Sequence, residues 1–339
     1  IEKIWYPKHL SLEQCSSEIT ARYKARLFQG DSLIDLTGGF GIDCSFLATG
    51  FKTATYVERQ EELCEIAAHN FPILNLNHIN VRNEDGVAYL QSMSPVDCIF
   101  LDPARRNEHG GKTVAISDCE PNVAELEALL LSKANRVMIK LSPMLDLSLA
   151  LKELKHTQEI HILSVNNECK ELLILLGQTS PAEIAIHCVN LLTKGTQEEQ
   201  HLVFTREQEQ RSQCTYTDSL GNYLYEPNAS LLKAGAFRSI AAAYPVRKLH
   251  PNSHLYTSDS FIENFPGRIF RIVNQCSFNK KEVKENLADL KKANVTVRNF
   301  PTTVAELRKR LHLTEGGDTY LFASTLNNGQ KVIIRCEKV

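Results

Sequence analysis

Between Gly30 and about Gly177, short apolar, β-branched runs alternate with stretches of helical character. The first run, residues 32–36, ends in a cluster of glycines, and a helix is expected over about 42–48. The second, 53–57, ends at Glu58 and leads into a helix over about 60–70. The third, 79–82, ends at Asn83-Glu84-Asp85. The fourth, 96–101, ends at Asp102-Pro103-Ala104-Arg105-Arg106; a helix over about 122–133 and a fifth run, 136–141, follow. These runs lack strict apolar–polar alternation, as expected for strands covered by helices on both faces. Their order predicts an α/β fold with a parallel, doubly wound, Rossmann-like sheet. Such sheets bind ligands beyond the carboxyl ends of their strands, where the Gly-rich, acidic and Asp-Pro segments all fall.

After a helix over 147–155, the runs 160–165 and 172–176 are joined by residues 166–171 alone. That link is too short for a helical crossover, so an antiparallel hairpin is expected. Runs 183–192 and 201–205 extend the same sheet. The polar run 206–213 reads as a boundary, giving a first domain over 1–212. A small ferredoxin-like α+β module is expected over 213–266, with a helix at 228–244 and a strand at 253–257. From Gly267 a third unit, 267–339, reads as strand 268–273, helix 280–293, strand 294–298, helix 304–311 and strands 319–324 and 331–336.

With 339 residues, two or three domains are expected. No apolar run is long enough to span a bilayer, and no secretion signal opens the chain. The chain starts at Ile1 without an initiator Met, so a preceding segment is expected. None of the ten cysteines forms a C-x-x-C pair. They read as reduced, mostly buried thiols of a cytoplasmic protein, which argues against disulfides, a cysteine-based zinc cluster or any other metal. The net charge of −2 carries no global nucleic-acid signature.

Asp35-Leu36-Thr37-Gly38-Gly39-Phe40-Gly41 is the first chemical candidate. Its glycines let the backbone turn tightly and approach a ligand without a Cβ in the way. Asp35 can face a ligand amine or the turn's own backbone. Glu58, some 20 positions on, can hydrogen-bond both hydroxyls of a ribose. Asp85 either accepts from an adenine amino group or caps the following helix. A dinucleotide fingerprint has Gly or Ala where this chain has Cys44. S-adenosylmethionine (SAM) carries no pyrophosphate and does not need that close approach, so SAM fits better than NAD.

Asp102-Pro103-Ala104-Arg105 stands where amino-methylating enzymes carry Asp/Asn-Pro-Pro-aromatic. Asp102 and the Pro103 carbonyl can accept the protons of an exocyclic amine whose lone pair is delocalised, leaving alignment with the methyl donor as the main requirement. Ala104 replaces the second proline and Arg105 the aromatic. A guanidinium can stack on a base or grip a phosphate. No cysteine follows the fourth or fifth run to activate a pyrimidine carbon, although Cys119 and Cys169 lie in loops.

The chain resembles class I SAM-dependent methyltransferases of bacteria with a THUMP-like C-terminal domain. The resemblance is carried by residues 13–18, 35–41, 102–106, 140–146 and 167–171, and by Tyr225-Glu226-Pro227-Asn228 and Leu249-His250-Pro251-Asn252. It implies SAM contacts at Asp35, Gly38, Gly39, Gly41, Glu58 and Asp85, with Thr37 in the same loop. It places Asp102 and Pro103 against the acceptor; if that acceptor is RNA, Arg105 or Arg106 is expected to hold its base or phosphate. The helix expected over 12–28 either closes over the methionine end of SAM through Tyr23 and Lys24 or simply packs on the sheet. The basic residues of 267–339 can track phosphates, or form a salt-bridged solvated face with Glu282, Glu285 and Asp289. The function implied is methylation of RNA (tRNA or rRNA). The alternatives are a protein or small-molecule acceptor, or an RNA-binding module with a vestigial pocket.

Overall fold

The computed structural model describes residues 3–7, 15–105, 115–195 and 198–339. The chain divides into two compact units, Ile1–Glu199 and Gln200–Val339.

In the first unit, α1 (Glu18–Leu27) precedes β1 (Gly30–Asp35), α2 (Ile42–Leu47), β2 (Phe51–Glu58), α3 (Glu61–Ile73), β3 (Ile79–Asn83), α4 (Gly86–Ser92) and β4 (Val96–Leu101). A small ribbon, β5 (Ala104–Arg105) with β6 (Cys119–Glu120), leads to α5 (Val123–Lys133), β7 (Ala134–Leu141), α6 (Leu147–Glu153), β8 (Thr157–Val165), β9 (Glu168–Gly177) and β10 (Ala185–Leu191), and β11 (Glu199–Phe204) begins at the last residue of the unit. Within the unit the sheet order is β10-β8-β9-β7-β4-β1-β2-β3. Neighbours run parallel from β7 through β3, and β9 is antiparallel to both β7 and β8. Asn166 and Asn167 close the expected hairpin with φ of 48° and 70°, a left-handed conformation that Asn tolerates. Ile99, Phe100, Val137, Met138 and Ile139 are at most 1% exposed, so the central strands are covered on both faces. The sheet reverses direction of winding between β1 and β4, and the Gly-rich and Asp-Pro loops meet at that switch point.

The second unit differs from expectation in its helices. Within the polar run 206–213, Arg206–Arg211 forms helix α7, whose start is fixed by a capping box between Thr205 and Gln208. The helix expected over 228–244 is two, α8 (Ala229–Ala234) and α9 (Phe237–Ala243), broken where Gly235 takes a φ of +74°. The two small modules also share one sheet. Strands β12 (Tyr223–Pro227), β13 (Arg247–Lys248), β14 (Tyr256–Ser258), β15 (Gly267–Ser277), β16 (Asn294–Val297), β17 (Thr319–Thr325) and β18 (Lys331–Lys338) run in the order β13-β14-β12-β15-β18-β17-β16. Its antiparallel pairing of β12 with β15 crosses position 266/267. Glu226 on β12, only 2% exposed, pairs with Arg268 on β15 and with Arg298. Helix α10 (Lys280–Leu287) stops short of Ala293, because Lys291 and Ala293 bond the backbone of Thr314 instead. Helix α11 (Val304–Leu311) has its expected bounds. Among the described residues no helix is long and apolar enough to cross a membrane.

Candidate functional site

The Gly-rich loop is built by its own backbone and two acids. Asp35 Oδ1 accepts from the Thr37 amide at 3.0 Å. The Gly38 amide donates to Val57 O at 2.9 Å, tying the loop to β2. A Cβ on Gly38 would lie 2.3 Å from the Tyr56 ring, so the loop lies on that ring as no other residue could. Gly41 has φ +80°, where other L-residues are strained. Glu58 is 8% exposed. Its Oε2 accepts from the Gly39 amide at 3.0 Å and its Oε1 from the Gln60 amide at 2.9 Å. It is therefore not a solvated strand-end acid but the brace between the glycine loop and β2. Asp85 Oδ1 accepts from the Val87 and Ala88 amides, both at 3.0 Å. It caps α4 with one oxygen.

The Asp-Pro loop is tied to the glycine loop directly: the Asp102 amide donates to Thr37 Oγ1 at 2.6 Å. Beneath both loops lies a buried charge network. Lys140, near the end of β7, reaches Asp102 Oδ2 at 2.7 Å, Asp43 Oδ2 at 2.9 Å and Ser16 Oγ at 3.0 Å. Lys24 of α1, with no exposed side-chain surface, faces Asp43 Oδ1 at 3.0 Å, donates to Ser16 Oγ at 2.9 Å and pairs with Glu171 of β9. Lys24 and its helix thus hold the floor of the site. The neighbouring Tyr23 turns to His161, 2.8 Å away. The backbone of Arg105 pairs with Cys119 in the small ribbon; the Arg105 side chain, Arg106 and residues 12–14 lie outside the described residues.

These residues line one cleft of about 1600 Å³, with room for more than a single small ligand. It brings together Asp35, Thr37, Gly38, Gly39, Gly41, Glu58, Asp85, Asp102 and Pro103. It also takes in Ser16, Asp43, Lys140 and Glu171, to which no role attaches from sequence alone. The signal for them was weak but present: a lysine inside the apolar run Val137-Met138-Ile139-Lys140-Leu141, and polar residues in segments 13–18 and 167–171.

Comparison with known proteins now fits this geometry. Residues 8–107 match the protein-L-isoaspartate(D-aspartate) O-methyltransferase family model, 223–266 a ferredoxin-like domain and 267–338 a THUMP domain-like model. A crystal structure described as "putative methyltransferase from Porphyromonas gingivalis W83" is 38% identical, with a TM-score of 0.91, and the alignment covers 100% of this chain and 85% of that one. The chain belongs to this methyltransferase family. An rRNA methylase from Streptococcus thermophilus is 14% identical over 47% of this chain and 93% of its own, with a TM-score of 0.34. A methyltransferase from Streptococcus mutans, SMU.1697c, described as "putative" and in complex with SAH, is 12% identical over 47% of this chain and 96% of its own, also with a TM-score of 0.34. No curated protein matches the chain.

The electrostatics of the cleft are dominated by acids. Among the described residues eight acidic side chains line it, against Arg59, Lys140 and Lys170. Burial pushes Asp35 up to about 8, helped by Asp43 and Asp102 and opposed by the Thr37 amide and Lys140. Burial also lifts Asp102 above the ordinary carboxylate range although its side chain is 39% exposed, and Lys140 pulls it back. Against the cost of burial, Lys24 and Lys140 hold Asp43 down at about 2. Lys140 in turn is held well above its usual range by Asp102, Asp43 and Glu171, which outweigh its burial. Burial makes Asp35 hold its proton to higher pH than an ordinary carboxylate, and among the described residues the other acids of the cleft still outnumber the cations that line it.

Proposed function

We infer that the chain transfers a methyl group from SAM to a nitrogen of an RNA base. The carrying observation is the acidic, glycine-floored cleft at the strand ends. A cationic ligand is stabilised there, whereas the pyrophosphate of a dinucleotide would be repelled. Gly38, which packs on the Tyr56 ring with no room for a Cβ, fixes the height of the loop against which the ligand would lie. SAM supplies an activated methyl on a sulfonium. In this reading Asp35 faces the amino group of its methionine part, Glu58 accepts from the ribose hydroxyls with lone pairs left over from the backbone amides, and the uncommitted oxygen of Asp85 takes the adenine amino group. Asp102 and the Pro103 carbonyl accept the N–H groups of the target base. The nitrogen lone pair forms the new N–CH₃ bond as the C–S bond breaks onto sulfur, and the surplus proton leaves through Asp102 to water. Arg105 is assigned to the base or its phosphate.

RNA as acceptor is supported by the THUMP domain-like match and by exposed cations of the second unit. Lys280, Lys281, Lys284, Lys291 and Lys292 form no ion pair among the described residues. Glu282 instead accepts from Ser277 and Asn279, and Asp289 pairs with Arg335. A carboxylate acceptor, such as the isoaspartate named by the family matched at residues 8–107, would bring negative charge into a cleft already dominated by it. The decisive experiment has two arms. Calorimetry should show saturable SAM binding that is lost in Glu58→Ala. Nucleoside mass spectrometry of RNA from a deletion strain should show one methylated nucleoside missing and restored by the wild-type gene. A complete set of RNA marks in the deletion strain would move the acceptor to another class.

A further inference from the structure

At the far side of the first unit's sheet, two neighbouring strands place three metal-ligating side chains on one face. β8 and β10 pair in parallel with His161 opposite His187. Glu159 precedes His161 by two residues, so strand alternation puts it on that same face. The ligand atoms of Glu159, His161 and His187 all lie within 4.8 Å of one another. The two imidazoles stack with centroids 4.3 Å apart and planes 14° from parallel. His161 is 2% exposed, while Glu159 keeps 41% of its side chain open to solvent, so the site has both a fixed wall and an entrance.

We propose that Glu159, His161 and His187 bind a first-row divalent cation, with Zn²⁺ the best match. Two imidazoles and one carboxylate form a donor set that suits Zn²⁺ and leaves a fourth position for water. Zinc bonds of about 2.0–2.1 Å require ligand atoms closer together than in the metal-free arrangement. The accessible Glu159 and the part-exposed His187 supply that movement by side-chain rotation. The buried His161 is already oriented: its Nδ1 lies 2.8 Å from Tyr23 Oη and its Nε2 3.2 Å from Glu159 Oε2. Without an ion, Nε2–H donates to Glu159 and Tyr23 donates to Nδ1. With an ion, the imidazole takes the other tautomer, Nδ1–H donates to Tyr23 Oη, and the Nε2 lone pair faces the metal. A partner on the non-ligating nitrogen is what metal-bound histidines ordinarily have. Arg136 lies near enough to act on the Glu159 carboxyl, and Arg26 stands over the Tyr23 ring while pairing with Glu199. These cations temper the affinity.

The site is remote from the cleft. His161 precedes Val165, a cleft-lining residue at the end of β8, by about 13 Å of extended strand. Its link to the cleft is α1, where Tyr23 orients His161 and the adjacent Lys24 anchors Asp43 and Glu171. A bound ion would pin that helix and steady the cleft floor rather than act on substrate. The cysteine spacing that argues against zinc does not bear on this site, whose ligands meet only through strand pairing.

The test uses the full chain stripped of metal by chelator and gel filtration. Zn²⁺ is titrated by calorimetry and Co²⁺ by visible absorption. The expected result is one equivalent of each ion and a tetrahedral cobalt spectrum without thiolate charge-transfer bands. Binding should weaken at least tenfold in both His187→Asn and Glu159→Gln, and about tenfold in Tyr23→Phe, where only the orienting hydroxyl is removed. Circular dichroism establishes that each variant is folded. Absence of saturable binding in the wild type overturns the proposal, and so does binding that remains equally tight in both ligand variants, which would place the ion on the thiols.

Discussion

Lys140 Nζ lies 2.7 Å from Asp102 Oδ2, so the acid assigned to the acceptor takes its charge state from a lysine that never needs to touch the acceptor. Burial raises Asp102, and Lys140 is the largest influence lowering it. In the proposed reaction Lys140 is a positioning residue: it favours the ionised form of Asp102 and holds one of its oxygens. The same ammonium holds Asp43, so the reacting side and the α1 side of the cleft share one cation.

Lys140→Met should therefore shift the pH–rate profile as well as lower the rate. Without the lysine, Asp102 keeps its proton to higher pH, and the acidic limb of kcat moves upward. The loss in kcat should be about 10²-fold, and about 10²–10⁴-fold in Asp102→Asn, where the proton acceptor is removed. SAM affinity should change far less in Asp102→Asn. A Lys140→Met enzyme that is slower at every pH, with an unmoved limb, would assign the lysine a purely structural role.

Asp35 makes a separate pH prediction. Its native pKa of about 8 lies above that of an unfolded chain, about 3.9. The folded state therefore holds the extra proton between these values, and this residue's contribution to stability falls as pH rises from about 4 to 8. A cationic ligand favours the ionised form, so SAM binding should release a proton below pH 8 and tighten as pH rises toward it. Calorimetry in buffers of differing ionisation enthalpy measures that proton directly. Asp35→Asn should bind more weakly and lose the pH dependence; if the dependence persists in that variant, another group is responsible.

Gly38→Ala tests the floor of the cleft. The added Cβ would fall 2.3 Å from the Tyr56 ring, and that ring is fully buried, so the loop must lift. Overpacking of this kind costs about 1–3 kcal/mol, readable as a lowered denaturation midpoint. The larger effect should be on ligand affinity, because the lifted loop carries the Gly39 amide away from Glu58. Restored affinity in Gly38→Ala combined with Tyr56→Leu would confirm that the ring contact is the cause.

The sequence makes the catalytic half easier to read than its floor. Strand ends carrying Asp35, Glu58, Asp85 and Asp102 announce themselves because polar residues interrupt apolar runs just where loops begin. The hairpin follows from a link too short for any crossover. The Lys24–Asp43–Lys140–Glu171 network does not, since its members come from four separate elements and meet only when β7 and β9 pair and α1 packs on α2. The shared sheet of the second unit was hidden for a related reason: β12 and β15 pair across a stretch of about 40 residues. The helix inside the polar run 206–213 was not legible because a short solvated helix and an irregular boundary segment have the same composition. Only the capping box of Thr205 and Gln208 distinguishes them.

The second unit supplies the last prediction. Lys281 and Lys284 on α10, with Lys291 and Lys292 beyond it, are exposed and unpaired among the described residues. Two of the three acids interleaved with them are committed elsewhere, Glu282 to the start of the helix and Asp289 to Arg335. A salt-bridged surface would contribute nothing to RNA affinity, whereas free ammonium groups would each release a counterion on meeting a phosphate. Replacing Lys284 and Lys292 with Ala should weaken RNA binding at low salt. The slope of log K against log[salt] should become shallower by about 0.7 for each phosphate of a single-stranded RNA that is no longer neutralised. Neither lysine lines the cleft proposed for methyl transfer, so kcat at saturating RNA should stay within about twofold while KM rises. An unchanged salt slope with an intact fold would remove α10 from the RNA-binding face.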